Sequence, residues 1–255
     1  MKKTISAIAF GGLIAAGLLA AVPAKAEIKG VVELFTSQGC TSCPPADKRL
    51  GQYAQQQDIL ALSYNVDVWD YLGWKATLAT PDNSARQRNY TRAYGAMVST
   101  PQAVIDGRIV VTPSAAHPDI KELIDPALAK SPGGLPVHLS LSATGDSITA
   151  NVDAVDPATA SEMPHATLWL VMYDDSVAVP IRSGENTGKT ITYSNVVRKL
   201  RPIAMWKGDL RSFDLPKSEI RHADVNRCAV LLQAETKDGL PGPILGAAAI
   251  DMTGT

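Results

Sequence analysis

Val31-Val32-Glu33-Leu34-Phe35-Thr36-Ser37-Gln38-Gly39-Cys40-Thr41-Ser42-Cys43-Pro44-Pro45-Ala46 is the stretch on which the reading of this chain turns. It passes from an apolar, β-prone segment through a polar turn containing Gly39 into a Cys-x-x-Cys pair, and a helix-prone run from Ala46 to Gln57 follows at once. That order sets Cys40 at or just before a helix N-terminus. Unpaired backbone N–H groups and the helix dipole there favour a thiolate over a thiol. The thiolate is the attacking and leaving species of thiol–disulfide exchange. The stretch therefore points to a chemistry, though not to a substrate.

Upstream, Lys2 and Lys3 precede an apolar run from Ile5 to Val22, and Ala24-Lys25-Ala26 offers small residues at the −3 and −1 positions of a cleavage site. Residues 1–26 read as a secretory signal peptide. The competing reading is an uncleaved membrane anchor of near-spanning length; the Gly and Ala content and the Ala-Lys-Ala end favour cleavage. The short Lys-Lys start looks bacterial, so the expected destination is the periplasm or the exterior. Cleavage after Ala26 leaves 229 residues and lowers the 24 basic residues to 21 against 25 acidic ones, a formal charge of −4. That balance gives no support for nucleic-acid binding, which needs a basic stripe. Three cysteines in an exported chain is an odd count, so at least one thiol is free or pairs with another molecule.

Along the mature chain, 28–35 is expected as a first strand, with Pro44 and Pro45 in the first turn of the following helix, where a missing N–H costs little. Residues 59–66 read as a buried second strand, and a β-helix-β order of this length suits a parallel pair. The segment Asp67 to Pro81 gathers Asp67, Trp69, Asp70, Tyr71, Trp74 and Lys75 around Gly73. It is expected as a loop at the carboxyl end of the sheet, where ligand sites of open α/β folds lie; the plainer alternative is a surface loop anchored by two buried tryptophans. A helix over 82–94 should stop at Gly95. Asp106-Gly107 between apolar runs signals a hairpin, with Pro101 just before its first strand. A short helix over 117–130 should break near Pro126. Ser131 to Pro136 marks a domain boundary. Beyond it, the runs 137–143, 147–152, 166–173, 177–182, 189–200 and 228–234 are β-prone, with Ile250 in a last strand. Together they predict an antiparallel β-sandwich over 137–255.

The Cys pair itself admits three readings. As a structural staple it is weak, since a four-residue loop yields only about 2 kcal/mol in the chain-entropy model. A zinc site needs two further ligands at suitable spacing, and no second Cys-x-x-Cys or His pair is present. A two-coordinate Cu(I) site using both sulfurs, with Met97 near, is the second functional reading. Redox chemistry asks only for the pair, a helix start and access. A non-catalytic binding protein on the same scaffold is the third. No phosphate loop, calcium loop or nucleophile elbow is present, and no cofactor is implied. Cys228, opening an apolar run, reads as a buried core residue, and His138, His165 and His222 lack partner spacing.

The strand, Cys40-Thr41-Ser42-Cys43 at a helix start and Thr100-Pro101 before a hairpin together resemble the thioredoxin superfamily. More closely, 32–47, Trp69-Asp70-Tyr71-Leu72-Gly73-Trp74-Lys75, Arg86-Gln87, Thr100-Pro101-Gln102 and Gly184-Glu185-Asn186-Thr187-Gly188-Lys189 are similar to a family of secreted bacterial thioredoxin-like proteins of unassigned function. The resemblance implies an α/β chain with a thioredoxin-like domain over 27–131 ahead of the β-sandwich. It implies Cys40 as the exposed nucleophile, Cys43 as the buried resolving thiol and Pro101 as a cis proline facing them. Glu33 falls near the superfamily's buried proton-transfer acid, one residue further from the first Cys than usual; the alternative is a solvent-facing strand Glu. The aromatic residue usual before Thr-Pro-Gln is Ser99 here. Thr100, Trp69, Asp70 and Trp74 are the expected walls of a substrate groove, and the expected partners are protein thiols or disulfides.

Overall fold

The computed structural model describes residues 26–130, 133–155, 165–220 and 225–252. The expected leader apart from Ala26, the boundary residues Ser131 and Pro132, and His222 lie outside the described residues. What is described is a mixed α/β structure: one large mixed sheet and a smaller antiparallel one.

Strand β1 (Gly30–Thr36) leads into helix α1 (Cys43–Tyr53) and then strand β2 (Ile59–Asn65). β1 and β2 pair in parallel from Gly30↔Ile59 to Thr36↔Asn65. Both strands therefore end on the same side, and the loops that follow them meet there. Helix α1 starts at Cys43, earlier than its propensity suggests, because both prolines fit the first turn without forfeiting a hydrogen bond. Helix α2 (Pro81–Tyr94) is capped by Thr80, whose side chain accepts from Asn83 N at 3.1 Å, and it stops at Gly95 as the sequence marks. β3 (Gln102–Ile105) pairs antiparallel with β1, and β4 (Ile109–Val111) completes the hairpin. Helix α3 is shorter than expected, Lys121–Leu128, and contains Pro126 instead of breaking at it. The helix has only two residues left to run at that point, so the lost N–H falls in its final turn.

The second half supplies β5 (Val137–Thr144), β6 (Ser147–Val155), β7 (Ala166–Pro180), β8 (Thr190–Trp206), β9 (Arg211–Pro216), the short helix α4 (Lys217–Ile220), β10 (Arg227–Glu235) and β11 (Pro241–Asp251). The runs 166–173 and 177–182, expected as two strands, are one. Asp174 stays inside it because its carboxylate accepts from Arg198 Nε across the pair at 2.7 Å. His138, expected without a partner, faces Asp153 at 3.2 Å on the exposed side of β5–β6.

The strand order of the large sheet is β11-β10-β7-β8-β2-β1-β3-β4, and β5-β6-β9 form the small one. Four strands of the second half thus extend the first-half sheet. The join is slim: β8 meets β2 through the single parallel pair Ser63↔Val196, backed by Asn195 Nδ2 donating to Ala61 O at 2.7 Å. The large sheet curls until its far ends meet, so that Ile244 N of β11 donates to Asp106 O beside the β3–β4 turn at 2.8 Å. Gly107 is required at this closure: its φ is +63°, and a Cβ there would stand 2.6 Å from Gly242 O.

Side-chain alternation sorts the core. From β1, Val32 and Leu34 pack with Ala46, Leu50 and Tyr53 of α1 and with Ile120 and Ile124. Val31 and Phe35 point the other way, into a cluster with Tyr64, Tyr90, Val171, Leu231 and Ile244 inside the curl. The small sheet lays Leu139, Ile148 and Val152 against Leu168, Leu170, Val230 and Leu232; Cys228 is fully buried in this core, as its sequence context predicts. Among the described residues no helix is long and apolar enough to cross a membrane.

Candidate functional site

Cys40 and Cys43 lie at the carboxyl end of β1, joined at disulfide distance with sulfurs 2.27 Å and Cα atoms 5.4 Å apart. Cys43 is the first residue of α1 and is fully buried. Cys40 exposes 5 % of its surface, less than the exposed position that the resemblance implied. The cause is the packing around it. Trp69 stands over Gly39, where a Cβ would meet Trp69 Cβ at 3.1 Å, and Asn186 closes the other side of the loop.

The cis peptide Thr100-Pro101 sits opposite, and Cys40 Sγ approaches Thr100 O at 3.5 Å. Trp69 ties the two segments together: its indole N–H donates to Thr100 Oγ1 at 2.6 Å. Trp74 donates its indole N–H to Gln38 Oε1 at 2.7 Å, and the same oxygen accepts from Thr77 N at 3.0 Å. Both tryptophans are half-buried. Asp70 does not line the sulfur pair; its Oδ1 accepts from Ala76 N at 3.0 Å and closes its own loop around a short 3-10 turn, Asp70–Leu72. Tyr71, 75 % exposed, leans on Trp69 with ring centroids 5.9 Å apart, and the side chain of Met97, three residues before Thr100, is 86 % exposed. A cleft of about 550 Å³ runs past Pro101, between Ser42, Pro45 and Arg49 on one side and Pro113 and Pro118 on the other.

Glu33 is neither solvent-facing nor beside the sulfurs. It is fully buried and points, with Val31 and Phe35, to the face of β1 away from α1. Arg86 donates to it twice, Nε to Oε1 at 2.7 Å and Nη2 to Oε2 at 3.1 Å, and Tyr90 Oη donates to Oε2 at 2.5 Å. Gln233 completes the network from β10, accepting from Arg86 and donating to Tyr90 Oη at 2.7 Å. Burial works against the Arg86 charge, but the Glu33 carboxylate outweighs it and keeps the guanidinium firmly protonated. Burial likewise pushes the Tyr90 hydroxyl well above its ordinary range.

The turn between β7 and β8 brings in a contribution from the far half of the chain. Asn186, fully buried, donates its amide to both Gln38 O and Cys40 O, each at 2.9 Å. Its own Oδ1 accepts from Lys189 Nζ at 2.8 Å. Gly184 makes the approach feasible, with φ +76° and a hypothetical Cβ only 3.1 Å from Trp74 Cβ. Sequence reasoning noted this Gly-Glu-Asn-Thr-Gly-Lys segment without assigning it to the Cys loop. The signal that was there is a polar Asn held between two turn glycines.

With this geometry in view, the chain is placed by comparison. It belongs to the family described as "Protein of unknown function (DUF1223)", which matches residues 31–233. Among solved structures, protein AGR_C_4864 from Agrobacterium tumefaciens is 34 % identical, with a TM-score of 0.76 over 91 % of this chain and 98 % of that one. HBP35 of Porphyromonas gingivalis is 14 % identical, with a TM-score of 0.56 over 89 % of this chain and 76 % of that one, a likeness of fold. No curated protein matches the chain.

Proposed function

We propose that this is an exported thiol–disulfide oxidoreductase whose first half, 27–131, is a thioredoxin-like unit and whose strands from 137 onward form an appended β-sandwich. The observation that carries the reading is the Cys40–Cys43 pair at a helix N-terminus with its first sulfur 3.5 Å from the carbonyl of a cis Thr100-Pro101 bond. In this reading Cys40 attacks a partner's sulfur and Cys43 resolves the mixed disulfide. The N-terminus of α1 favours negative charge on Cys40, because the unpaired N–H groups and the helix dipole converge there. Thr100 and Pro101 dock the partner's backbone along the cleft toward Pro113 and Pro118. Trp69 fixes that docking loop from behind, and exposed Tyr71 and Met97 offer apolar contact to a protein partner. Trp74 and Asp70 act one step back, by holding Gln38 and the shape of the Trp loop. The sandwich contributes to the site through Asn186, which holds the two carbonyls of the Cys loop in place.

The test is equilibration of the mature protein with glutathione buffers of graded potential, followed by alkylation to count thiols. The pair should titrate as a two-electron couple, and Cys43→Ser should trap glutathione on Cys40. A pair that stays disulfide-bonded against both glutathione and dithiothreitol in excess sinks the proposal.

A further inference from the structure

Helix α1 carries an ionisable group that the reading above leaves unused. Asp47 lies one helical turn beyond Cys43, 3 % exposed, and neither carboxylate oxygen has a hydrogen-bond partner among the described residues. Residues four apart on a helix share a face, with Cβ atoms about 5–6 Å apart, and the Cβ bond tilts toward the helix N-terminus. Asp47 therefore shares the buried face of α1 with Cys43, one turn away, its Cα–Cβ bond tilted toward the Cys43 turn. A buried carboxylate without partners is costly and is uncommon in a folded chain unless it serves a purpose.

Its surroundings leave it uncompensated. Thr36, from the α1-facing side of β1, is the polar group that steadies it. Burial is the stronger influence and pushes the carboxyl up to about 7. Lys48, next on the helix, is exposed, and Arg49 is bound to Asp119. From β8 and the turn before it come Tyr193, whose hydroxyl is raised by burial and further by the Asp47 charge, and Lys189, whose ammonium is engaged by Asn186. An open cleft of about 720 Å³ between α1 and β8 is bordered by Asp47, Gly51, Gln55, Thr190 and Thr192.

We propose that Asp47 is the proton-transfer partner of Cys43, the role that the resemblance implies for Glu33. The proposal rests on the thiol–disulfide reading above. With Cys40 joined to a partner's sulfur, the Asp47 carboxylate takes the proton of the Cys43 thiol, directly or through one water. The Cys43 thiolate attacks Cys40 Sγ. The Cys40–Cys43 bond forms as the bond from Cys40 to the partner's sulfur breaks, and the electron pair leaves on that sulfur as a thiolate, which solvent protonates. Asp47 then returns its proton to water in the cleft. The protein dithiol is oxidised by two electrons and a partner disulfide is reduced; the opposite direction runs the same steps backward with a partner dithiol as reductant.

The experiment follows reduced protein mixed with oxidised glutathione across pH 5–9 by rapid quench. Formation of the Cys40–glutathione species and its resolution by Cys43 are resolved separately. In Asp47→Asn, resolution should slow on the order of 100-fold near neutral pH and lose its inflection near pH 7, while the first step keeps its rate. As a readout independent of the variant's folding, the Asp47 carboxyl carbon in wild-type protein, followed by NMR, should titrate near neutrality and shift its midpoint when Cys43 is reduced, as coupled groups do. An Asp47→Asn profile identical to wild type, or a carboxyl titrating in the ordinary acidic range in both redox states, overturns the proposal while leaving the oxidoreductase reading intact. A wild-type pair that never forms the glutathione species overturns both.

Discussion

Two buried acids sit on opposite faces of one strand's environment, and they are treated in opposite ways. On the inner face of β1, Glu33 is bound by Arg86 and Tyr90, which are held in turn by Gln233 of β10. On the outer face, Asp47 of α1 has the Thr36 hydroxyl beside it, at less than full hydrogen-bond geometry to either oxygen. A buried charge that is fully paired acts as structure, here clamping the two halves of the chain inside the curled sheet. A buried charge left uncompensated sits near its own titration point and is available for proton transfer. The contrast tells the structural acid from the chemical one.

The comparison breaks first at Glu33. Glu33→Ala leaves Arg86 buried without its carboxylate and should cost about 3–5 kcal/mol in urea unfolding, while the pH profile of thiol chemistry in the surviving folded protein stays as in wild type. A change in that profile would return the proton-transfer role to Glu33. Asp47→Asn should act in the other direction. The native carboxyl holds its proton to about pH 7 against an ordinary value of 3.8, so between those values the native chain binds more protons than the unfolded one. Stability therefore falls as pH rises through that window, and the full cost stands above it. The variant should be more stable than wild type by up to about 4 kcal/mol at pH 8, and the gain should vanish near pH 4. Comparing unfolding of the two proteins at both pH values checks the sign.

Asn186→Ala comes next. It strands the carbonyls of Gln38 and Cys40, and a loss of about 1–3 kcal/mol is expected, with faster hydrogen exchange confined to the Cys loop. Exchange that spreads evenly over β7 and β8 would mean that the turn supports its own hairpin and not the site. Arg49→Ala, on the outer side of α1, should change the unfolding midpoint least of all, because its pair with Asp119 is open to solvent and screened by salt.

Much of this was legible in the residues. The β-helix-β order, the prolines at the start of α1, the Asp106-Gly107 hairpin and the stop at Gly95 are local signals, and each element stands where its residues call for it. The strand runs after 136 were legible too, but not their pairing. Nothing in Ser63 or Val196 announces that β8 will lie beside β2, and the single bridge between them turns two expected sheets into one. Asp174 and Asp175 read as a turn, whereas the Arg198 partner that holds Asp174 in the strand lies 24 positions along the chain. At the site, Cys40, Cys43, Thr100, Pro101 and Trp69 lie together. Asp70 turns away from them, because a short acidic side chain inside a loop finds the loop's own N–H groups first.

The sequence by itself determined the sulfur pair and its place at a strand-to-helix turn, because spacing, prolines and propensity act over a few residues. Alternation along a strand puts Glu33 and Thr36 on opposite faces of β1. Only the tertiary structure decided which of those faces α1 would cover, and therefore that Asp47 is buried beside Thr36 and away from Glu33. It also brought Asn186 to the Cys40 carbonyl from 146 positions away. Burial and pairing are properties of what packs around a group, and the strength of an acid follows them more closely than it follows the residue's name.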